Sequence, residues 1–127
     1  RFLLYLSKTY FETTLPFSSS TIRIFVAIPE YLSDDIYYFE AVENHVYAYL
    51  KSDVYEVDYK ISELNDLLIR TNFIQTSRTI ILNLSKISKI KSMVNGRILA
   101  QLVNDEKMII SRLYANGFKN KLKGGNN

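Results

Sequence analysis

The chain has 127 residues, 47% of them hydrophobic and 23% charged, which bounds it to one domain long enough to bury a core. With no Cys and a single His it excludes a disulfide framework, a thiolate zinc site, a thiol nucleophile and a histidine-rich metal centre. The net charge of +3 conceals a division: residues 1–69 hold 5 Lys/Arg against 11 Asp/Glu, and residues 70–127 hold 11 against 2. A half at −6 and a half at +9 is the electrostatic footprint of a polyanion binder, although basic residues that merely solubilise a sheet face leave the same trace. Leu3–Leu6 is too short for a signal sequence or a membrane span, so a cytoplasmic protein is expected. The chain begins at Arg1 rather than Met, as a piece of a longer protein would.

In chain order, residues 1–19 read as a lead segment with two short strands, Phe2–Leu6 and Thr9–Leu15, before the joint at Pro16 and Ser18–Ser20. From Thr21 the alternation of Ile22, Ile24, Val26 and Ile28 predicts a strand that Pro29 ends. Asp34 and Asp35 make a turn before a strand over Ile36–Glu40. Glu43-Asn44-His45 interrupts it, Val46–Leu50 forms another strand, and Val54–Tyr59 the next. A helix is expected from Ser62, capped by its hydroxyl, with Ile61, Leu64, Leu67 and Leu68 on its inner face and Arg70 at its end.

The stretch 73–90 differs in kind. Thr79–Leu84 is apolar and β-branched apart from Asn83, which suits a strand covered on both faces. Gln75-Thr76-Ser77-Arg78 precedes it and Lys86, Lys89 and Lys91 follow, so a buried strand delivers a short polar loop to the surface. Asn95-Gly96 predicts a two-residue hairpin turn, and Asn104-Asp105 a second turn leading to a strand over Glu106–Ile110. Ser111 then caps a last helix with Leu113, Phe118 and Leu122 inward; residues 124–127 are a flexible tail.

Four blocks in this order resemble the LytTR DNA-binding domain of bacterial transcription regulators, the LytR/AlgR family. Ile36-Tyr-Tyr-Phe-Glu-Ala41, followed by Asn44-His45-Val46, is similar to a family strand and its next loop. Ser62–Leu68 is similar to the Leu-x-x-Leu helix, and Phe73–Asn83 to the pattern Phe-x-Arg-x-(His/Ser)-(Arg/Lys)-Ser-x-(Ile/Val)-x-Asn. Ser111-Arg112-x-Tyr114 with Phe118-Lys119 is similar to the closing segment. Gln75, Ser77 and Thr79 stand where arginine, histidine and serine are common; Ser77-Arg78 resembles the stand-alone members more than the two-component regulators, and no receiver domain is read in these residues.

The resemblance implies a mostly β fold, with antiparallel sheets stacked as an elongated sandwich, one short helix mid-chain and one near the C-terminus. Residues 20–123 form the domain. It implies a sequence-specific regulator that places loops in successive major grooves of double-stranded promoter DNA, with a second copy on repeated half-sites. Arg78, Arg112 and the Asn44–His45 loop, with Ser77, are the expected base readers. Lys86, Lys89, Lys119 and Lys121 are the expected phosphate contacts, which position without reading.

Catalysis, a cofactor, a membrane and a small-molecule substrate are not expected. Glu40, Glu43, Asp34 and Asp35 lack a nucleophile, a phosphate-cradling glycine loop or metal-ligand spacing beside them, and read as turns and a solvated edge. Tyr47, Tyr49, Tyr55 and Tyr59 lie in the acidic half and read as packing rather than as a stacking platform for single strands. The rival class is a protein-interaction module whose basic face docks on an acidic partner.

Overall fold

The computed structural model describes residues 21–24 and 34–124. The lead segment 1–19, the continuation of the first strand to Ile28, and residues 125–127 lie outside the described residues. Among the described residues nine strands form two sheets: β1 (Thr21–Ile24), β2 (Tyr38–Val42), β3 (His45–Tyr49), β4 (Val54–Val57), β5 (Phe73–Gln75) and β6 (Ile80–Asn83) in order β1-β4-β3-β2-β6-β5, and β7 (Ile87–Ser92), β8 (Ile98–Leu102) and β9 (Lys107–Ile110) as a meander. Every pair is antiparallel except β1 with β4, which is parallel. Helix α1 (Ile61–Leu67) and helix α2 (Arg112–Leu122) complete the mostly β architecture that the sequence implied.

The layers follow from β6. Successive side chains of a strand point to opposite faces, so Ile81 and Leu82, both essentially inaccessible, enter two different cores. Ile81 joins Phe39, Tyr55, Phe73 and the inner face of α1, while Leu82 joins Ile98, Ala100, Leu102, Ile110 and Phe118 beneath the three-stranded sheet and α2. The expectation of a strand covered on both faces holds. Asn83 does not interrupt it, because its buried amide donates to Ile36 O at 2.7 Å and its Oδ1 accepts from Ser85 N at 3.0 Å and Ser85 Oγ at 2.7 Å. Tyr55 and Tyr59 belong to the first core, and Tyr49 stacks on Tyr38 against the second at 4.6 Å between ring centroids.

Several local expectations shift. The second strand runs from Tyr38 to Val42 rather than from Ile36 to Glu40. The Val54 strand stops at Val57. Helix α1 starts one residue before Ser62, with Lys60 at the N-cap. The orphan amide there is met by the Glu63 carboxylate, which accepts from Lys60 N at 2.9 Å, so Ser62 is an exposed helical residue. Leu67 is 54% exposed, because at 100° per residue it lies well off the Ile61–Leu64–Leu68 stripe. In α2 the inward residues are Ala115 and Phe118, whereas Leu113 is 83% and Leu122 41% exposed. Leu113 and Phe118, five residues apart, cannot share a narrow helix face.

Candidate nucleic-acid interface

Strand register brings three segments to one edge of the molecule. Val42 pairs with His45 across the β2–β3 turn, and Glu40 pairs with Ile80 at the start of β6, so residues 42–45 and 76–79 emerge at the same end. Ala41 N donates to Thr79 O at 2.8 Å and ties the second segment to the first. Ser111 N donates to Thr76 O at 3.0 Å and ties it to the start of α2. Ser111 occupies the N-cap position, but its hydroxyl makes no capping bond; its backbone serves the neighbouring loop instead.

The 76–79 loop is braced from within. Thr76 N donates to Ile80 O at 2.9 Å, Thr79 N to Ser77 Oγ at 3.2 Å, and Gln75 Nε2 to Ser77 O at 3.0 Å. Gln75, standing where the family commonly has arginine, is therefore a loop brace. Ser77 is half-buried and partly occupied with this bracing, while Arg78 is exposed at the apex with no carboxylate partner among the described residues. In the β2–β3 turn the left-handed backbone falls on Glu43, φ 60°, rather than on Asn44, where asparagine would take it more cheaply. Asn44 and His45 are both exposed, and His45 Nδ1 lies 2.6 Å from Glu56 Oε2.

Arg112 is exposed at the first turn of α2, and its stem crosses the β7–β8 hairpin. Asn95 and Gly96 there have φ 63° and 75°, as the turn's geometry demands. A methyl built on Gly96 would lie 2.9 Å from Arg112 Cγ and 3.1 Å from Cδ, so glycine is needed for approach as well as for backbone conformation. Glu106 sits at the opposite end of the β9 hairpin, where it accepts from Tyr38 Oη at 3.1 Å; it is no partner for Arg112. Burial pushes the Tyr38 phenol well above its usual range, and the Glu106 carboxylate adds to the shift.

The lysines divide. Lys119 is exposed on α2, seven residues after Arg112, and thus on the same helical stripe. Lys121 is half-buried, donating to Phe73 O at 2.8 Å and Ile69 O at 3.3 Å, which leaves one of its three N–H donors, and burial lowers its pKa. Lys86 lies beyond the other end of β6, its ammonium 5.0 Å from the Tyr37 ring centroid. Lys89 faces solvent on β7, in one cross-strand row with Gln101 and Lys107. The structure thus gathers Asn44, His45, Ser77, Arg78 and Arg112 at one edge with Lys119 along the adjoining helix, and places Lys86 and Lys89 away from it.

Three residues of this edge were missed in the sequence. Arg97 closes the hairpin under Arg112, its carbonyl accepting from Met93 N at 2.8 Å. Asn116 and Lys123, four and eleven residues after Arg112, extend its exposed stripe; that spacing was the available signal. Among the described residues no cluster could hold a metal ion, and no helix is long and apolar enough to cross a membrane.

Comparison with known proteins gives the same assignment from three directions. The model of the LytTr DNA-binding domain matches residues 30–123. The sensory transduction protein LytT of Enterococcus faecalis is 33% identical over 100 residues, covering 79% of this chain; the chain spans about 40% of that relative's length. A solved LytTr DNA-binding domain of a methyl-accepting/DNA response regulator from Bacillus cereus superposes with a TM-score of 0.65 at 27% identity, covering 72% of this chain and 83% of that one. With its two stacked sheets, its loop-bearing edge and a family match over most of its length, this chain belongs to the LytTR DNA-binding domain family.

Proposed function

We propose that residues 20–123 act as a sequence-specific double-stranded DNA-binding module that regulates transcription in a bacterial cytoplasm. Arg78, Arg112 and the Asn44–His45 turn read base edges in the major groove. Lys119, with the free donor of Lys121, holds phosphates, and Ser77 shapes the reading loop. The observation that supports this reading most is the bond from Ser111 N to Thr76 O, which sets two exposed arginines from distant parts of the chain on adjoining backbone. A guanidinium on anchored backbone suits bidentate contact with guanine. Lys86 and Lys89 then serve flanking phosphates only if the duplex bends towards them, or lie outside the contact. A second copy on a repeated half-site accompanies this reading.

Selection from a randomised duplex pool, followed by gel-shift titration at two salt concentrations, tests it. Enrichment of one motif and weaker binding at high salt are expected. Capture of an acidic protein with no duplex affinity would favour the rival docking module.

A further inference from the structure

We propose that Glu56 is a positioning residue for base recognition: its carboxylate accepts the Nδ1–H of His45 and thereby presents Nε2 as the imidazole atom that meets the duplex. This rests on the reading that the Asn44–His45 turn lies at the DNA. An ionised carboxylate only accepts hydrogen bonds, so the 2.6 Å separation from Glu56 Oε2 requires the hydrogen on Nδ1. Val46 pairs with Val57 and Tyr47 with Glu56, which places Glu56 diagonally across from His45 on the same sheet face. Its side chain is 14% exposed on a mid-sheet strand, while that of His45 is 50% exposed. A fixed acceptor therefore holds one side of a ring whose other nitrogen has no partner among the described residues.

The surroundings favour a base over a phosphate. Among the described residues, the groove beside His45 is lined by Glu56, Asp58 and Glu63 and by one cation, Lys60. Those carboxylates repel a phosphate but not the neutral edge of a base pair. With Nδ1 committed to Glu56, Nε2 accepts when the ring is neutral and donates when it is charged, so one atom carries the contact. Without Glu56 the ring is free to rotate and to move its hydrogen to Nε2.

His45 is the only histidine, so its imidazole is read without ambiguity. Long-range 1H–15N correlation at about pH 8, where a free imidazole is neutral, should show the Nδ1–H form in the wild type. The Nε2–H form should dominate in Glu56→Ala. The duplex recovered by the wild-type chain from a randomised pool, substituted one base pair at a time, supplies the second readout. Glu56→Ala should lose about tenfold on that duplex and flatten preference at the position that His45→Ala flattens, adding nothing in the His45→Ala background. If Glu56→Ala does not fold by circular dichroism, Glu56→Gln, whose amide oxygen still accepts, carries the same comparison with a smaller loss. An Nε2–H wild type, losses that add in the double variant, or a uniform loss across all base pairs overturns the proposal. A pool without enrichment by the wild type sinks the DNA reading itself, and this role with it.

Discussion

Ser111 N donates to Thr76 O at 3.0 Å, and this bond joins the loop carrying Arg78 to the residue preceding Arg112. The two arginines are 34 positions apart in sequence, one in the loop between β5 and β6 and the other in the first turn of α2, yet each is two residues or fewer from an end of one hydrogen bond. Their spacing is thus set by rigid backbone rather than by side-chain reach, as recognition by fixed geometry needs.

Arg78 and Lys119 should behave differently. Arg78 projects from a loop held by Ala41, Ile80 and Ser111, whereas Lys119 lies in the last turns of α2. Arg78→Ala should cost about 1–3 kcal/mol on the selected duplex and flatten preference at one base position. Lys119→Ala should weaken all duplexes alike and reduce the salt slope by about one unit. A panel of single-base variants, with folding checked by circular dichroism, separates the two; an Arg78→Ala protein that keeps its preference profile would reassign Arg78 to the phosphates.

Salt sensitivity measures how many phosphates are neutralised. If about five are, log K against log salt should slope by about −4.5. Fluorescence anisotropy from low to moderate salt gives the slope, and a flat line would rule out this electrostatic mode.

Asp34 and Asp35 are exposed before β2, at the end of the sheet away from the Arg78 loop. Replacing both by Asn should raise affinity for random duplex slightly and leave sequence preference unchanged. Collapse of specific binding in this variant would place the DNA on the opposite edge.

Gly96 separates backbone strain from contact with Arg112. Gly96→Ala should cost about 1–2 kcal/mol from the left-handed φ. Gly96→Asn, which tolerates that conformation, should cost less stability yet still displace the Arg112 stem, whose Cγ would lie 2.9 Å from the added Cβ. Both should weaken duplex binding to a similar degree in anisotropy titrations, while urea unfolding ranks Ala below Asn. Equal binding to the wild type would mean that the hairpin does not orient Arg112.

Alkaline pH should destabilise the fold through Tyr38. Burial, then Glu106, raises its folded pKa above the unfolded value, so the associated stability is present below about pH 10 and is lost as pH rises through the folded value. Lys121, whose pKa burial lowers, works in the opposite direction near the same range, but the raised phenols of Tyr49 and Tyr59 side with Tyr38. Urea midpoints should fall above about pH 10, and less steeply in Tyr38→Phe. Parallel curves for the two proteins would count against the Tyr38–Glu106 contribution.

What the sequence determined by itself are features whose causes lie within a few residues. The apolar run over Thr79–Leu84, broken only by Asn83, suited a strand with both faces covered, because adjacent apolar side chains on a strand point opposite ways. Asn95-Gly96 specified a turn because both residues tolerate positive φ. The ordered blocks from Ile36 to Lys119 carried the family. Only the tertiary structure decided which loops share an edge, since register and sheet stacking are set by burial between segments far apart in the chain. It turned Leu113 outward and Phe118 inward, set Lys86 over Tyr37, and committed two donors of Lys121 to carbonyls 48 and 52 residues away. It also put Glu56 beside His45, a pairing that exists because β3 and β4 run antiparallel in one register, and that a slip of one residue would point to opposite faces of the sheet.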